Sequence, residues 1–208
     1  MHPITPSKIV CVGRNYAAHA AELGNEVPTE PLIFLKPPSA IIGAGDTIVL
    51  PSGVGRVDYE GEIGVVIGAR ARHVSPEQAW DHVAALIPVN DVSARDLQKK
   101  DGQWTRAKGF DTFCPLGTPV PVADIDVDAL AVTTRVNGQV RQEAPATAMV
   151  FDIAFLVAHI SRIMTLEPGD LICTGTPDGV GPLAAGDDVE VHVTGVGSVR
   201  NTVREEVL

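Results

Sequence analysis

The chain has 208 residues, of which 45% are hydrophobic and 20% are charged, and this composition is typical of one globular domain of good size. Its formal net charge of −10, from 16 basic and 26 acidic residues without any run of Lys or Arg, argues against nucleic acid as a partner. The apolar stretches are too short to cross a membrane, and residues 1–6 lack the charged start and apolar core of a secretory signal, so we expect a cytoplasmic protein.

The first third of the chain combines short strands with one short helix and a proline-rich stretch. Residues 9–12 predict a strand, and Asn15 is placed to cap a helix that runs to Leu23 and ends at Gly24. Residues 27–38 contain four prolines and predict an extended loop. Apolar runs predict further strands at 48–50 and 60–67.

The middle of the chain contains two predicted helices around one strand. The pattern Ser-Pro-x-Gln that begins at Ser75 is a capping box with proline at the first helical position, and it predicts a helix to about residue 85. A strand at 86–91 follows. Ser93 then starts a short helix that ends at Asp101 and Gly102.

The last third begins with a hairpin. Asn137-Gly138, between apolar segments at 132–136 and 139–141, is the strongest short-range signal for a hairpin turn. Asp152 is placed to cap a helix whose apolar residues recur every 3.6 positions. A strand at 171–173, a glycine-rich loop at 174–181 and a final hairpin with Val189, Val191 and Val193 complete the chain. Many short strands with a few short helices, in no regular alternation, predict a β-rich α+β fold.

The three cysteines carry no functional signal. Cys11, Cys114 and Cys173 are odd in number, widely spaced and mostly flanked by apolar residues. This pattern is typical of reduced cysteines in a protein core rather than of metal ligands or nucleophiles.

Three carboxylates lie where the sequence otherwise predicts apolar strand. Glu60 and Glu62 are two residues apart, so their side chains project from the same face of a strand, and Asp91 closes the next apolar run. If the two strands are neighbours, three hard oxygen ligands meet without Cys or His, a set that favours Mg²⁺ or Mn²⁺ over zinc. The alternative is a solvated outer face. However, the glutamate row continues through Gly64 and Val66, so neither face of this strand has the polar residues of a water-facing surface.

Several other polar residues admit both a structural and a catalytic interpretation. His19 and Glu22 share one face of the first helix, so the carboxylate could hold the imidazole as a general base, although a solvated pair has the same spacing. Arg95 and Gln98 are likewise three residues apart, and such a pair is usually exposed. Lys108 alone is ordinarily a surface charge.

The loop at 174–179 is rich in Gly and Thr but lacks the Gly-Lys-Ser/Thr ending of a nucleotide-binding loop. A plain turn is one interpretation. Its backbone N–H groups and threonine hydroxyls could also bind a carboxylate.

Six short motifs occur in an order that resembles the fumarylacetoacetate hydrolase superfamily, over the chain from Lys8 to its end. They are VGRNY at 12–16, FLKP at 34–37, DYEGE at 58–62, NDVSARD at 90–96, KGFD at 108–111 and TGTP at 174–177. The compact length resembles the branch of acylpyruvate hydrolases and oxaloacetate decarboxylases, and also the isomerase and decarboxylase of the homoprotocatechuate pathway.

The resemblance implies a mixed β-sandwich roll that is usually a homodimer, here one catalytic domain over residues 1–208 in which 1–50 form a small lid portion. It implies Mg²⁺ or Mn²⁺ held by Glu60, Glu62 and Asp91, and the asparagine at position 15 leaves these three carboxylates as the ligands. It also implies catalytic roles for His19, Glu22 and Lys108. The residues whose substrate contacts it implies are Arg14, Tyr16, Lys36, Arg95, Gln98 and Thr176.

The expected substrates are small 2-oxo or 2,4-dioxo acids that chelate the metal. The expected reaction is hydrolysis of a C–C bond in an acylpyruvate or fumarylpyruvate, with water activated by the pair of His19 and Glu22. The same site could instead decarboxylate oxaloacetate or isomerise an unsaturated 2-oxo diacid. A non-catalytic metal-binding or ligand-binding domain is the competing interpretation, and it would need neither the His19 base nor Lys108.

Overall fold

The computed structural model describes residues 4–207. The strands are β1 (Ile9–Gly13), β2 (Leu32–Lys36), β3 (Ile41–Ile42), β4 (Thr47–Leu50), β5 (Val57–Tyr59), β6 (Gly61–Ile67), β7 (Val83–Asn90), β8 (Ser93–Ala94), β9 (Cys114–Pro115), β10 (Val120–Pro121), β11 (Ala131–Val136), β12 (Gln139–Pro145), β13 (Leu171–Cys173), β14 (Gly181–Pro182), β15 (Asp188–Val193) and β16 (Gly197–Glu205). The α-helices are α1 (Ala17–Glu22), α2 (Arg95–Asp101), α3 (Thr105–Lys108) and α4 (Ile153–Ile163). Short 3₁₀ helices cover Pro38–Ala40, Pro76–His82, Val122–Asp124, Val127–Ala129 and Ala146–Ala148.

A six-stranded mixed sheet, in the order β10-β7-β6-β13-β1-β2, carries the predicted carboxylate strands. β6 and β7 are antiparallel neighbours, and Gly61 lies opposite Asn90. Every residue of β6 is buried. The prediction that this strand has no water-facing side is therefore confirmed, and the sheet buries apolar side chains on both faces.

The second sheet has five strands in the order β12-β11-β15-β16-β4. Its first two strands form the predicted hairpin, in which Asn137 and Gly138 both have positive φ, 52° and 77°, as a type I′ turn requires. The largest apolar core lies between this sheet, one face of the six-stranded sheet and helix α4. The β-rich α+β fold class is confirmed.

Several predictions of local structure are wrong. The stretch at 27–38 includes β2, because the five residues between its prolines pair along the whole of β1. The helix predicted from Ser75 to about residue 85 is a 3₁₀ helix that ends at His82, and Val83 starts β7 because it pairs with Ile67. Asn15 does not cap α1, since its side chain bonds to the backbone of Phe151 and Thr174 instead.

The helix predicted to start at Ser93 starts at Arg95 instead, because Ser93 and Ala94 form β8, which pairs with β5. Other local predictions agree with the structure. The Asp152 side chain accepts a hydrogen bond from the backbone N–H of Phe155 and caps α4. The three cysteines are free and buried. Among residues 4–207, no helix has the length and apolar character that crossing a membrane requires. The homodimer, the cytoplasmic location and the single catalytic domain stay predictions.

Candidate active site

Glu60, Glu62 and Asp91 converge at one end of the β6–β7 pair. One carboxylate oxygen from each lies within 4.8 Å of the others, and the three side chains are buried. The backbone holds the first and third together, since the Asp91 N–H donates to the Glu60 carbonyl at 2.8 Å. Gly61, between the two glutamates, has no room for a side chain, because a Cβ there would lie 2.0 Å from the Thr134 hydroxyl oxygen.

Buried cations neutralise two of the three carboxylates. Lys108 Nζ lies 2.6 Å from Glu60 Oε2 and 2.7 Å from Asp91 Oδ2. Lys36 Nζ lies 2.6 Å from Asp91 Oδ1, and Arg95 Nη1 lies 2.6 Å from Glu60 Oε1. Burial opposes ionisation of Glu60, but the charges of Lys108 and Arg95 outweigh it and hold the pKa of Glu60 below its ordinary range.

Glu62 lacks such a partner. Within the described residues, its side chain accepts one hydrogen bond, from the Gly175 N–H at 2.8 Å. Burial raises the pKa of Glu62 well above its ordinary value, and the negative charges of Asp91 and Glu60 raise it further. Three converging carboxylates with this unbalanced charge fit a hard divalent cation such as Mg²⁺ or Mn²⁺.

The predicted base is buried beside these carboxylates. His19 is 5% exposed, and its Nδ1 lies 3.5 Å from Glu22 Oε2, which is longer than a hydrogen bond. Among residues 4–207, Nδ1 has no hydrogen-bond partner. Burial and the positive charge of Arg95 lower the pKa of His19 below its ordinary value of 6.5. The negative charges of Glu60 and Glu22 oppose this shift but do not outweigh it. This shift favours the neutral imidazole, which is the form that can accept a proton. Glu22 is held in place by the Gly179 N–H, at 3.1 Å from Oε1.

Most of these groups border one cavity of about 470 Å³, although Asp91 is not among the residues that line it within the described chain. Glu60, Glu62, His19, Glu22 and Lys108 all line it. The predicted substrate-contact residues that also line it are Arg14, Arg95, Gln98 and Thr176. Arg95 and Gln98 are bonded to each other, with Nη1 donating to Oε1 at 3.0 Å, so the predicted helical pair exists. The structure thus brings together the metal, base and most of the substrate residues that the sequence predicted.

Two predicted substrate residues, Tyr16 and Lys36, are not among those that line the cavity within the described chain. Tyr16 is 2% exposed, and its hydroxyl has no hydrogen-bond partner in the part of the chain that the structure describes. The Lys36 ammonium group donates hydrogen bonds to Asp91 Oδ1 and to the carbonyl of Val92. Their contact with substrate stays a prediction, and the observed role of Lys36 is to neutralise Asp91.

Gln142 is a site residue that the sequence analysis missed. It belongs to β12 of the second sheet, and its Oε1 accepts a hydrogen bond from the Gly61 N–H at 2.9 Å. Its Nε2 donates to Thr176 Oγ1 and to the Pro177 carbonyl, both at 2.8 Å. One amide therefore ties the strand of the glutamates to the 174–179 loop. No local signal reveals this, because Gln142 lies within an otherwise ordinary hairpin strand.

The sequence model described as fumarylacetoacetate (FAA) hydrolase C-terminal matches residues 8–204. The chain belongs to the fumarylacetoacetate hydrolase family. This match covers all the residues that border the cavity, and the predicted resemblance is confirmed.

Members of the fumarylacetoacetate hydrolase family with named activities are similar to this chain over nearly its whole length. The mitochondrial oxaloacetate tautomerase of Arabidopsis thaliana is 45% identical over 97% of this chain and 92% of its own. The structure of a 5-carboxymethyl-2-hydroxymuconate delta-isomerase from Mycobacterium smegmatis has a TM-score of 0.92 and 48% identity, covering 99% of this chain and 82% of that one. The structure of fumarylpyruvate hydrolase from Pseudomonas aeruginosa with Mn²⁺ and pyruvate has a TM-score of 0.90 and 34% identity, covering 98% and 91%.

Proposed function

We propose that this protein is a divalent-metal-dependent enzyme of small 2-oxo acids, and that its reaction is the keto–enol tautomerisation of oxaloacetate. The observation that carries the proposal is that the buried His19 and the carboxylates Glu60 and Glu62 line the same cavity. The 45% identity to a tautomerase of oxaloacetate supports the choice of substrate.

Each residue then has a definite task. Glu60, Glu62 and Asp91 would hold the cation, which when bound supplies Lewis-acid polarisation of the 2-oxo group. His19 takes a proton from carbon 3 of the keto acid and returns it to the 2-oxo oxygen, which completes the enol, regenerates the neutral imidazole and consumes no water. The carboxylate of Glu22, 3.5 Å from His19 Nδ1, stabilises the charged form of the imidazole. Lys108 lines the cavity, where its charge opposes the negative charge that develops on the carbonyl oxygen.

A second candidate is the hydrolysis of an acylpyruvate. The cavity of about 470 Å³ falls within the range of typical small-molecule sites and has room for more than a four-carbon acid. In this reaction His19 would take a proton from water, which attacks the distal carbonyl and yields pyruvate and a carboxylic acid. The likeness to fumarylpyruvate hydrolase supports this candidate.

The test is a turnover screen of the purified protein with Mg²⁺ or Mn²⁺. The substrates are the enol form of oxaloacetate, followed by its ultraviolet absorbance, then acetylpyruvate, fumarylpyruvate and an unsaturated 2-oxo diacid, with release of CO₂ from oxaloacetate measured in parallel. We expect oxaloacetate tautomerisation to be fastest and to be lost with EDTA. The proposal would be contradicted if the rates with the protein, both with and without EDTA, equalled the uncatalysed rates in buffer. Tight Mg²⁺ binding without turnover of any substrate would favour the non-catalytic binding domain.

A further inference from the structure

A fourth buried carboxylate lies beside the three that form the proposed metal site. Asp58, Glu60 and Glu62 occupy alternate positions of the chain, but within the described residues the metal-binding cluster consists of the two glutamates and Asp91. Asp58 is 1% exposed. Because a buried carboxylate is unfavourable unless a positive charge is buried with it, the role of Asp58 lies in its ion pairs.

Asp58 bridges two arginines, and one of them reaches the metal-binding cluster. Its Oδ2 accepts a hydrogen bond from Arg95 Nε at 2.8 Å. Arg56 donates to the same carboxylate from Nε and Nη2, at 2.6 and 3.0 Å. The Arg56 side chain is 51% exposed, whereas Arg95 is buried and its Nη1 lies 2.6 Å from Glu60 Oε1. One buried guanidinium is therefore shared between Asp58 and a proposed metal ligand.

The backbone fixes both ends of this pair. Asp58 belongs to β5, the central strand of a three-stranded sheet in the order β14-β5-β8, and it lies opposite Ser93 of β8. Directly after β8, the Arg95 N–H donates to the Arg56 carbonyl at 2.8 Å. Neither residue can move away from the other without breaking the pairing of these strands.

The balance of buried charge around the cluster depends on Asp58. The buried cations that pair with these carboxylates are Lys36, Arg95 and Lys108. By formal charge, these three cations match the three carboxylates of the cluster. The charge of Asp58 leaves the buried group with one excess negative charge. A divalent cation therefore enters a more favourable electrostatic environment when Asp58 is present.

We propose that Asp58 is a positioning residue of the metal site: it shares the charge of Arg95 with Glu60 and so weakens the competition between Arg95 and a divalent cation for Glu60. This inference deepens the proposed function and rests on it only in that the cation binds at the three-carboxylate cluster. Without the Asp58 charge, Glu60 is the one remaining carboxylate that pairs with Arg95 among residues 4–207. Asp58 acts through Arg95 and does not line the cavity in the described chain.

The test is calorimetric titration of the whole chain with Mg²⁺ alone. Asp58→Asn keeps the shape of the side chain and one acceptor oxygen but loses the charge. We expect it to bind Mg²⁺ at least about tenfold more weakly, because a unit charge close to a divalent ion in a buried site contributes at least that much to affinity. Arg56→Gln removes the half-exposed outer partner of Asp58. It should bind Mg²⁺ as tightly as the parent or up to about threefold more tightly, since water screens much of the Arg56 charge.

The double variant Asp58→Asn/Arg56→Gln separates an electrostatic role of Asp58 from a structural one. It should recover part of the affinity that Asp58→Asn loses, because the unneutralised charge of Arg56 is then absent. Local misfolding at position 58 would not be reversed by a second substitution. The matched control is Asp188→Asn, which removes the same charge from an ion pair with Arg200 on the second sheet and should keep the parent affinity.

Parent affinity in Asp58→Asn, or a double variant that binds no better than Asp58→Asn, would overturn the inference. Weaker Mg²⁺ binding by Arg56→Gln would also overturn it, and this result decides the matter even if circular dichroism shows that Asp58→Asn does not fold. The turnover screen is independent of these affinities. If the affinities follow the expected order but oxaloacetate is not turned over, the proposed reaction is refuted and the role of Asp58 is upheld.

Discussion

Replacing Lys108 by methionine would remove a cation that contacts two buried carboxylates. Lys108 is 2% exposed, and its ammonium group lies 2.6 Å from Glu60 and 2.7 Å from Asp91. Its Nζ is also 5.0 Å from the centre of the Phe34 ring. Methionine keeps the length and apolar character of the lysine stem, so Lys108→Met changes mainly the charge.

Removing one partner of a buried ion pair usually costs about 3–5 kcal/mol of folding stability. Lys36 still pairs with Asp91 and Arg95 still pairs with Glu60, so we expect the free energy of unfolding without metal to fall by about 3 kcal/mol, the lower end of that range. Mg²⁺ at 100 times its Kd should return about 2.7 kcal/mol. Turnover should fall roughly 10²–10³-fold, as for the loss of one group that opposes developing charge. Affinity for Mg²⁺ should not fall, because less positive charge remains beside the ligands.

Urea denaturation followed by tryptophan fluorescence, with and without Mg²⁺, gives the two stabilities. Calorimetry gives the affinity for Mg²⁺, and steady-state kinetics gives the turnover. Lys100→Met is the control, because Lys100 is exposed and forms no ion pair among the described residues. If Lys108→Met had the stability and activity of the parent, Lys108 would lie on the surface in solution and the electrostatic argument would be refuted.

Three further predictions concern other parts of the site. Glu62→Gln should lower the affinity for Mg²⁺ by at least about tenfold without lowering metal-free stability, because burial beside Asp91 and Glu60 disfavours the Glu62 charge and raises its pKa. Loss of folding, seen by circular dichroism, would contradict this. His19→Ala should lower turnover roughly 10²–10⁴-fold at unchanged affinity for Mg²⁺. The activity of the parent enzyme should fall only as the pH drops through the lowered pKa of His19, below 6.5. A loss of parent activity that begins above pH 6.5 would contradict the assignment of His19 as the base. Gln142→Leu leaves the buried Gly61 N–H without its acceptor, so it should lower the free energy of unfolding by about 1–3 kcal/mol and weaken Mg²⁺ binding. Gln139→Leu, at an exposed position of the same strand, should do neither. Equal effects of the two variants would contradict a positioning role for Gln142.

The sequence by itself determined the features that depend on neighbours along the chain. The same-face placement of Glu60 and Glu62 follows from strand alternation, and the Asn137-Gly138 turn and the Asp152 cap follow from local backbone chemistry. The pairing of Arg95 with Gln98 follows from helical spacing. Each of these contacts joins residues at most three positions apart, so no knowledge of the fold was needed.

Only the tertiary structure decided which of the charged residues face the cavity and which neutralise other residues. Lys36 is 55 residues from Asp91, and Gln142 is 81 residues from Gly61, so no periodic pattern connects either pair. The strand at Leu32–Lys36 forms because β1 supplies hydrogen-bond partners that a proline-rich segment does not show in isolation. Lys99 is an ordinary surface charge in the sequence, and only the family resemblance implies a role for Arg14. Both line one cavity only because the fold brings the end of β1 and helix α2 beside the carboxylates at the end of β6, as the contact of Arg95 with Glu60 shows.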